Sequence, residues 1–120
     1  MNVFGLIDID NFTQFNHKFG YEQGNKLLEI FEDLINETLN PLFSKRLNSD
    51  EFIFQLNGSF KENERVLFDL LSIINVKLGI TISIGIAEAD ENFDYKQNIK
   101  YLMSNMLIAK RNGKNKICLK

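Results

Sequence analysis

The chain has 120 residues, of which 44% are hydrophobic and 25% charged, and a chain of this size can bury about two-thirds of its unfolded surface. We therefore expect one compact domain spanning residues 1–120 and no second domain. The 14 basic and 16 acidic residues give a formal net charge of -2, so the protein has no overall positive field for binding the phosphate backbone of nucleic acid.

Two absences from the sequence bear on the cellular setting. Cys118 is the single cysteine, so it cannot form an intramolecular disulfide. The sequence has no charged-then-apolar leader and no long uncharged apolar run, which argues against export and against a membrane span. We therefore expect a cytoplasmic protein whose partners include neither a membrane nor a nucleic acid.

The first half of the chain predicts a strand, two helices and a β-hairpin. The strand and the two hairpin strands are predicted over residues 3–9, 42–47 and 52–56, where apolar residues are concentrated. Two successive helices, broken at Gly20, are expected to end before Pro41. The apolar positions with helical spacing in the second helix are Leu27, Leu28, Ile30, Phe31, Leu34, Ile35 and Leu39.

The second half of the chain continues with a helix, a strand, a helix and a last strand. They are predicted over residues 61–75, 79–87, 95–111 and 116–120. The strand has the clearest signal, because its isoleucines alternate with Thr81, Ser83 and Gly85. Gly113 is expected to terminate the last helix.

The predicted order of elements, β-αα-β-β-α-β-α-β, indicates an α+β fold. Helices should pack as an α/β sandwich against a mixed central sheet of about five strands. The central part of that order has the split-βαβ, ferredoxin-like topology of a palm core.

Two acidic clusters lie at the ends of strands that we expect to be neighbours. Asp8 and Asp10 follow the first strand, and Asp50 and Glu51 lie at the hairpin tip. Carboxylates held close together repel one another unless a cation joins them, and hard oxygen ligands suit Mg²⁺ or Mn²⁺. Such ions serve phosphate chemistry, since they activate a hydroxyl and stabilise a leaving pyrophosphate. Either cluster alone is more often solvated surface.

Four motifs resemble those of the GGDEF family of nucleotidyl cyclases, which make cyclic dinucleotides. They read DIDNFTQFNHKFGYEQG, RLNSDEF, TISIGIA and AKRNGKN, and they begin at Asp8, Arg46, Thr81 and Ala109. The family patterns that they resemble are D-x-D-x-F-x-x-x-N-x-x-x-G-x-x-x-G, R-x-G-G-D-E-F, T-x-S-x-G-x-A and A-K-x-x-G-R-N. Four motifs in the right order are far more specific than any one of them.

The resemblance implies a metal site and a catalytic group. Asp8, the Ile9 carbonyl and Asp50 would hold metal ions at a triphosphate. Glu51 would lie beside them, as a further ligand or as a base for the ribose 3′-hydroxyl. Asp50 and Glu51 are therefore the catalytic candidates at the hairpin.

The resemblance also implies substrate contacts. Asn16 matches the residue that hydrogen-bonds the base edge. Lys110 and Lys114 match basic residues that meet the phosphates, and Lys110 is a catalytic candidate because an ammonium group can neutralise a leaving pyrophosphate. Solvated lysines at a helix end are the alternative interpretation. The other substrate-binding candidates are Phe12, Asn25, Asn48 and Ser49. The ring of Phe12, like those of Phe19 and Phe52, is expected in the core rather than on a base.

The chain departs from the family at the hairpin tip and at Asn25. Asn48 and Ser49 replace two glycines, which permit positive φ and close approach to a phosphate. Asn25 stands where the family has an aspartate that accepts hydrogen bonds from guanine. Because an amide both donates and accepts, Asn25 could pair with adenine, and we expect use of ATP alone or together with GTP.

Other departures concern what surrounds the cyclase core. The sequence before the first strand has no L-T-G-L-x-N-R-R-like run, and no R-x-x-D precedes Arg46. We therefore expect this chain to lack the family's product-inhibition site and a fused sensor. A weaker resemblance, in size and acidic geometry, is to the minimal CRISPR polymerase-like cyclases of antiviral signalling.

Three hypotheses follow. In the first, a homodimer joins two purine nucleoside triphosphates into a cyclic dinucleotide that a downstream receptor reads. In the second, favoured by Ser49, the domain is catalytically degenerate and binds nucleotide or a partner protein without turnover. The third, a plain ferredoxin-like interaction module, leaves the four motifs unexplained.

Overall fold

The computed structural model describes residues 1–119. Within them the chain forms, in order, β1 (Asn2–Ile9), α1 (Phe12–Phe19), α2 (Tyr21–Leu39), β2 (Phe43–Arg46), β3 (Glu51–Asn57), α3 (Phe60–Leu78), β4 (Ile82–Ala89), α4 (Tyr95–Arg111) and β5 (Ile117–Leu119). The predicted order of elements is confirmed. The last strand was expected to reach Lys120, which lies outside the described residues.

The five strands form one mixed sheet in the order β2-β3-β1-β4-β5. The central strand β1 pairs antiparallel with both β3 and β4, while β4 and β5 are parallel. This register places Asp8 opposite Glu51 on one side and opposite Ser83 on the other. The predicted α+β fold is confirmed, and the two acidic clusters do lie on neighbouring strands.

Helices cover both faces of the sheet because side chains alternate along each strand. From β1, Val3, Ile7 and Ile9 point into a core shared with α1, α2 and α3. Phe4 and Leu6 point to the opposite face, where they pack with buried residues of α4. The end of β1 therefore emerges between helices on both sides.

Gly85 lets α4 lie directly on β4. A Cβ at this position would overlap the backbone of α4 at Leu102 and Met106, so only glycine fits. The buried Asn105 then donates a 2.9 Å hydrogen bond from Nδ2 to the Ile86 carbonyl. This close contact holds the C-terminal end of α4 over the end of β1.

Several boundaries differ from those predicted, and local capping explains two of them. The helix predicted over residues 61–75 begins at Phe60 because Ser59 and Glu62 form a reciprocal capping box. It continues to Leu78, and Gly79 ends it with a φ of 68°. Gly79 therefore belongs to the helix end, and β4 begins only at Ile82.

Two apolar side chains that were assigned to the interior are exposed. Ile30, predicted on the apolar face of α2, is 48% exposed because it lies beside the buried stripe that contains Phe31. Phe19, expected in the core, is 51% exposed at the end of α1 and packs on Phe15 instead. Phe12 and Phe52 are buried as predicted.

None of the helices within residues 1–119 combines the length and the hydrophobicity that crossing a bilayer requires.

Candidate active site

A pocket of about 590 Å³ opens at the C-terminal end of β1, between α1, α2 and the tip of the β2–β3 hairpin. It brings together seven of the residues that the sequence singled out: Asp8, Ile9, Phe12, Asn16, Asn25, Ser49 and Asp50. The carboxylates come from β1 and the hairpin, and the amides come from the two helices. The pocket thus has an acidic part and an amide-bearing part.

The acidic part is an electrostatically strained pair of carboxyl groups. Oδ1 of Asp8 is buried and receives no hydrogen bond from the described residues. Burial, a hydrogen bond shared with Asp50, and repulsion from Asp50 and Glu51 raise the pKa of Asp8 to about 8, although Lys110 lowers it. Two carboxyl groups can share a hydrogen bond only when one of them holds a proton. Without a cation, the pair is therefore best stabilised by a proton.

The same arrangement fits a hard divalent cation. Two carboxylates and the Ile9 carbonyl offer oxygen ligands, and Mg²⁺ commonly takes one or two carboxylates with water and substrate phosphate completing its shell. Within residues 1–119, no group of three or more His, Cys, Asp or Glu side chains is arranged to hold a metal. Three protein oxygens would leave positions of an octahedral shell for water and substrate phosphate.

Asp10 plays a different part from Asp8, although the sequence presents them as one cluster. Its side chain is fully buried and lies 2.8 Å from the Lys110 ammonium. It also accepts hydrogen bonds of 2.7 Å from Thr81 and Ser83 and of 3.0 Å from the Asn115 backbone N–H. A carboxylate with four donors has no oxygen to spare for a metal ion. Asp10 is therefore a structural anchor.

The anchoring hydrogen bonds determine the pKa of Asp10. Burial acts to raise the pKa of this carboxyl, but hydrogen bonds from Lys110, Thr81, Ser83 and the Asn115 N–H outweigh it, and the pKa is lowered below 3.8. Thr81 and Ser83 thus hold the ionised carboxylate. Asp10 joins β1, β4 and the turn after α4 at the edge of the pocket.

Lys110 and Lys114 lie at the border of the site. The Lys110 Nζ, paired with Asp10, is also 3.6 Å from Oδ2 of Asp8 and 3.5 Å from the Ile9 carbonyl. Lys114 donates a hydrogen bond to Oδ1 of Asn11, and Asn11 lines the pocket. The structure therefore places the Lys110 ammonium beside the acidic part and the Lys114 ammonium beside Asn11 of the pocket lining.

The hairpin tip is made without left-handed residues. The positive-φ residues of the described chain include neither Asn48 nor Ser49, so the tip does not need the conformational freedom of glycine. Asn48 donates to Oε1 of Glu51, and Ser49 Oγ donates to Asp50 Oδ1 over 3.3 Å. The replacement of glycine therefore does not strain the backbone of the tip. Its effect on the pocket is the added Ser49 side chain, which forms part of the pocket wall.

The amide part of the pocket depends on close packing between α1 and α2. Gly24 of α2 is buried, and a Cβ there would overlap Oδ1 of Asn16 on α1. That oxygen is itself buried and has no donor among the described residues. An acceptor of this kind can receive an N–H group from a ligand. Asn25, the residue after Gly24 on α2, lines the same pocket.

Sequence reasoning missed several residues that line the pocket. They are Asn11, Thr13, Gln14, His17, Tyr21 and Leu28. Helical periodicity offered a signal for two of them, because Thr13 precedes Asn16 by three positions and Tyr21 precedes Asn25 by four, and such residues share one helix face.

The chain resembles known proteins over most of its length. The family described as "Diguanylate cyclase, GGDEF domain" matches residues 2–116. The chain is 27% identical to diguanylate cyclase DgcS of Shewanella oneidensis over 116 residues, covering 92% of this chain and 39% of that relative. It thus spans about two-fifths of that relative's length.

Solved structures share the fold. The GGDEF domain of DgcB from Caulobacter crescentus, solved in complex with c-di-GMP, has a TM-score of 0.86 and 19% identity, covering 98% of this chain and 77% of that one. An EAL/GGDEF domain protein from M. capsulatus has a TM-score of 0.85 and 26% identity, covering 98% and 83%.

Proposed function

Because the chain belongs to the GGDEF family of diguanylate cyclase domains, we propose that it joins two purine nucleoside triphosphates into a cyclic dinucleotide. In each of two steps, the 3′-hydroxyl oxygen of one nucleotide attacks the α-phosphorus of the other, and the bond to pyrophosphate breaks. Two nucleotides must face each other, so the proposed unit is a homodimer in which each subunit holds one.

The observation that carries this proposal is the pair of Asp8 and Asp50 at one part of a pocket whose other part bears amide groups. Burial first, and then the hydrogen bond with Asp50 and repulsion from Asp50 and Glu51, raise the pKa of Asp8, and a divalent cation would offset the cost of ionising this buried carboxyl. The amides of Asn16 and Asn25 match the hydrogen-bonding edge of a purine. A pocket of about 590 Å³ is large enough for one nucleotide.

Each residue of the acidic part then has a role. Asp8, the Ile9 carbonyl and Asp50 hold Mg²⁺ or Mn²⁺, and the bound ion supplies activation of the hydroxyl and neutralisation of phosphate charge. Glu51, opposite Asp8 on β3, is the candidate to accept the proton of the 3′-hydroxyl. Lys110 and Lys114 bring positive charge to the phosphates.

Product analysis tests the proposal. The protein is incubated with ATP, GTP and Mg²⁺ or Mn²⁺, and products are identified by mass spectrometry. We expect a cyclic dinucleotide and pyrophosphate, and we expect Asp50→Ala to abolish both because half of the carboxylate pair is lost. Exposed Asp69→Ala on α3 is the matched control and should leave the product yield unchanged. Absence of product from the unaltered protein would contradict the proposal.

Asn25 bears on the choice of nucleotide. Its amide donates and accepts, whereas a carboxylate only accepts, so adenine with its acceptor N1 beside a donor amine can pair with it. We expect products from ATP alone or from ATP and GTP together at equal concentrations. Asn25→Asp should raise the share of guanine product about tenfold, because a charge-assisted hydrogen bond is gained. Exclusive guanine product from unaltered protein would show the assignment of Asn25 to be wrong.

Ser49 supports a second candidate function, nucleotide binding without turnover. Its Cβ and hydroxyl form part of the pocket lining beside Asp50, where the family has a glycine without a side chain. If this alternative holds, calorimetry detects binding of GTP or ATP while no product forms. Ser49→Gly would then restore turnover.

A further inference from the structure

Tyr21 is an aromatic residue with no structural task. It is the first residue of α2, and it is 73% exposed although it lines the pocket. With the rest of the described chain, its side chain forms no hydrogen bond, ion pair or ring contact. Neither core packing nor a polar network therefore accounts for a large ring at this position.

The backbone around Tyr21 sets its place at the rim of the pocket. Gly20 separates α1 from α2 with a φ of 87°, so the chain turns sharply just before the ring. One helical turn later, Gly24 is buried against Asn16. The amide part of the pocket is thus closed at its inner end by tight packing and open at the end that bears Tyr21.

Tyr21 and Asn25 lie on the same face of α2. They are four positions apart, which places their Cβ atoms about 6 Å from each other on an α-helix. Both line the pocket, and so does Asn16 on the facing helix. A purine whose polar edge meets the two amides would consequently have one π-face within reach of the Tyr21 ring.

Stacking is the interaction that this arrangement favours. A tyrosine ring offers a flat apolar surface, and every base has a π-face, so a stacked base is held irrespective of its hydrogen-bonding edge. Exposed aromatic surface is also removed from water on both partners. The amides would then select the base while the ring supplies affinity.

We propose that Tyr21 is a substrate-binding residue whose ring stacks on the purine base of the bound nucleoside triphosphate. This inference rests on the proposed function, since it concerns the substrate of the same pocket. It assigns a substrate contact to a residue outside the acidic part, and it places the purine base at the rim of the pocket, beside the first turn of α2.

Fluorescence tests the contact directly because the chain has no tryptophan. Tyr21→Trp introduces a single indole at the rim, and Phe68→Trp, at a 49% exposed position of α3, is the matched control. With Mg²⁺ present, GTP and ATP should quench Tyr21→Trp strongly and Phe68→Trp hardly at all. Tripolyphosphate, which has the phosphates and no base, should quench neither.

Affinity gives the second readout. We expect Tyr21→Ala to weaken GTP and ATP binding about tenfold by calorimetry, and Tyr21→Phe, which keeps the ring, to stay within about twofold of the unaltered protein. Binding of tripolyphosphate should not change. Phe68→Ala, which removes an equally aromatic side chain elsewhere, should bind all three probes normally.

The outcomes separate this inference from the proposed function. Quenching and a tenfold loss without any cyclic product would support stacking and contradict turnover. Normal nucleotide affinity in Tyr21→Ala, with no quenching in Tyr21→Trp, would overturn stacking and leave the proposed function intact. A protein that binds no nucleotide overturns both.

Discussion

Asp8→Asn is expected to abolish cyclase activity and, in the absence of metal, to make the protein more stable. The two effects have one cause. The carboxylate that we propose as a metal ligand is the same group that burial and the Asp50 carboxyl destabilise in its charged form. We expect activity to fall about a thousandfold, because a lost metal ligand removes several kcal/mol of transition-state stabilisation and 1.36 kcal/mol is a factor of ten.

The gain in stability has a defined pH window. The pKa of Asp8 is raised from 3.8 to about 8 on folding, so between these values the folded protein holds a proton that the unfolded chain has released. Stability should therefore fall as the pH rises through this window. At 1.36 kcal/mol per pKa unit, even half of the rise corresponds to about 3 kcal/mol at pH 8. Asp8→Asn removes this dependence.

Urea unfolding between pH 5 and 8.5 measures the effect. In EDTA, Asp8→Asn should gain stability over the unaltered protein progressively toward pH 8. In Mg²⁺, only the unaltered protein should gain, because a ligand that binds the folded state stabilises it by mass action. Asp69→Asn, which changes an exposed carboxyl on α3, is the matched control. Parallel pH curves for Asp8→Asn and the unaltered protein would disprove the coupling.

Asp10→Ala is expected to destabilise the fold by about 3–5 kcal/mol, the usual effect of breaking a buried ion pair from one side. The substitution leaves the Lys110 ammonium, the two hydroxyls of Thr81 and Ser83, and the Asn115 N–H without their shared acceptor. It also removes the side-chain hydrogen bonds that link the end of β1 to β4 and to the turn after α4, although the backbone pairing of β1 with β4 stays. For a domain of this size, that loss is a large part of its total stability.

Equilibrium unfolding at pH 7 measures this loss, and Asp33→Ala, an exposed carboxyl on α2, is the control. If Asp10→Ala does not fold, Ser83→Ala tests the same anchor and should cost about 1 kcal/mol. Because the pKa of Asp10 is lowered on folding, its contribution is present above pH 3.8 and is lost as the pH falls below that value. A stability change within about 0.5 kcal/mol in both variants would refute the anchoring role.

The sequence by itself determined the fold class and most of the candidate site. Apolar runs, the alternation in β4 and the helical spacing in the helices placed the elements in order, because the parts of each element that are buried must be apolar. The acidic residues were found because they end a buried strand and occupy a hairpin tip. Exposed Ile30 and Phe19 were misjudged, since their apolar character does not reveal that Ile30 lies beside the buried stripe of α2 or that Phe19 ends α1.

Only the tertiary structure decided which acid does what. Asp8 and Asp10 are two residues apart and look equivalent in sequence, yet the chain around them gives one an unsatisfied oxygen beside Asp50 and the other four donors. Those donors come from residues 71 to 105 positions further along the chain. Hydrogen bonding, burial and charge act between groups that are close in space, so the division of roles became visible only when β4 and α4 were folded against β1.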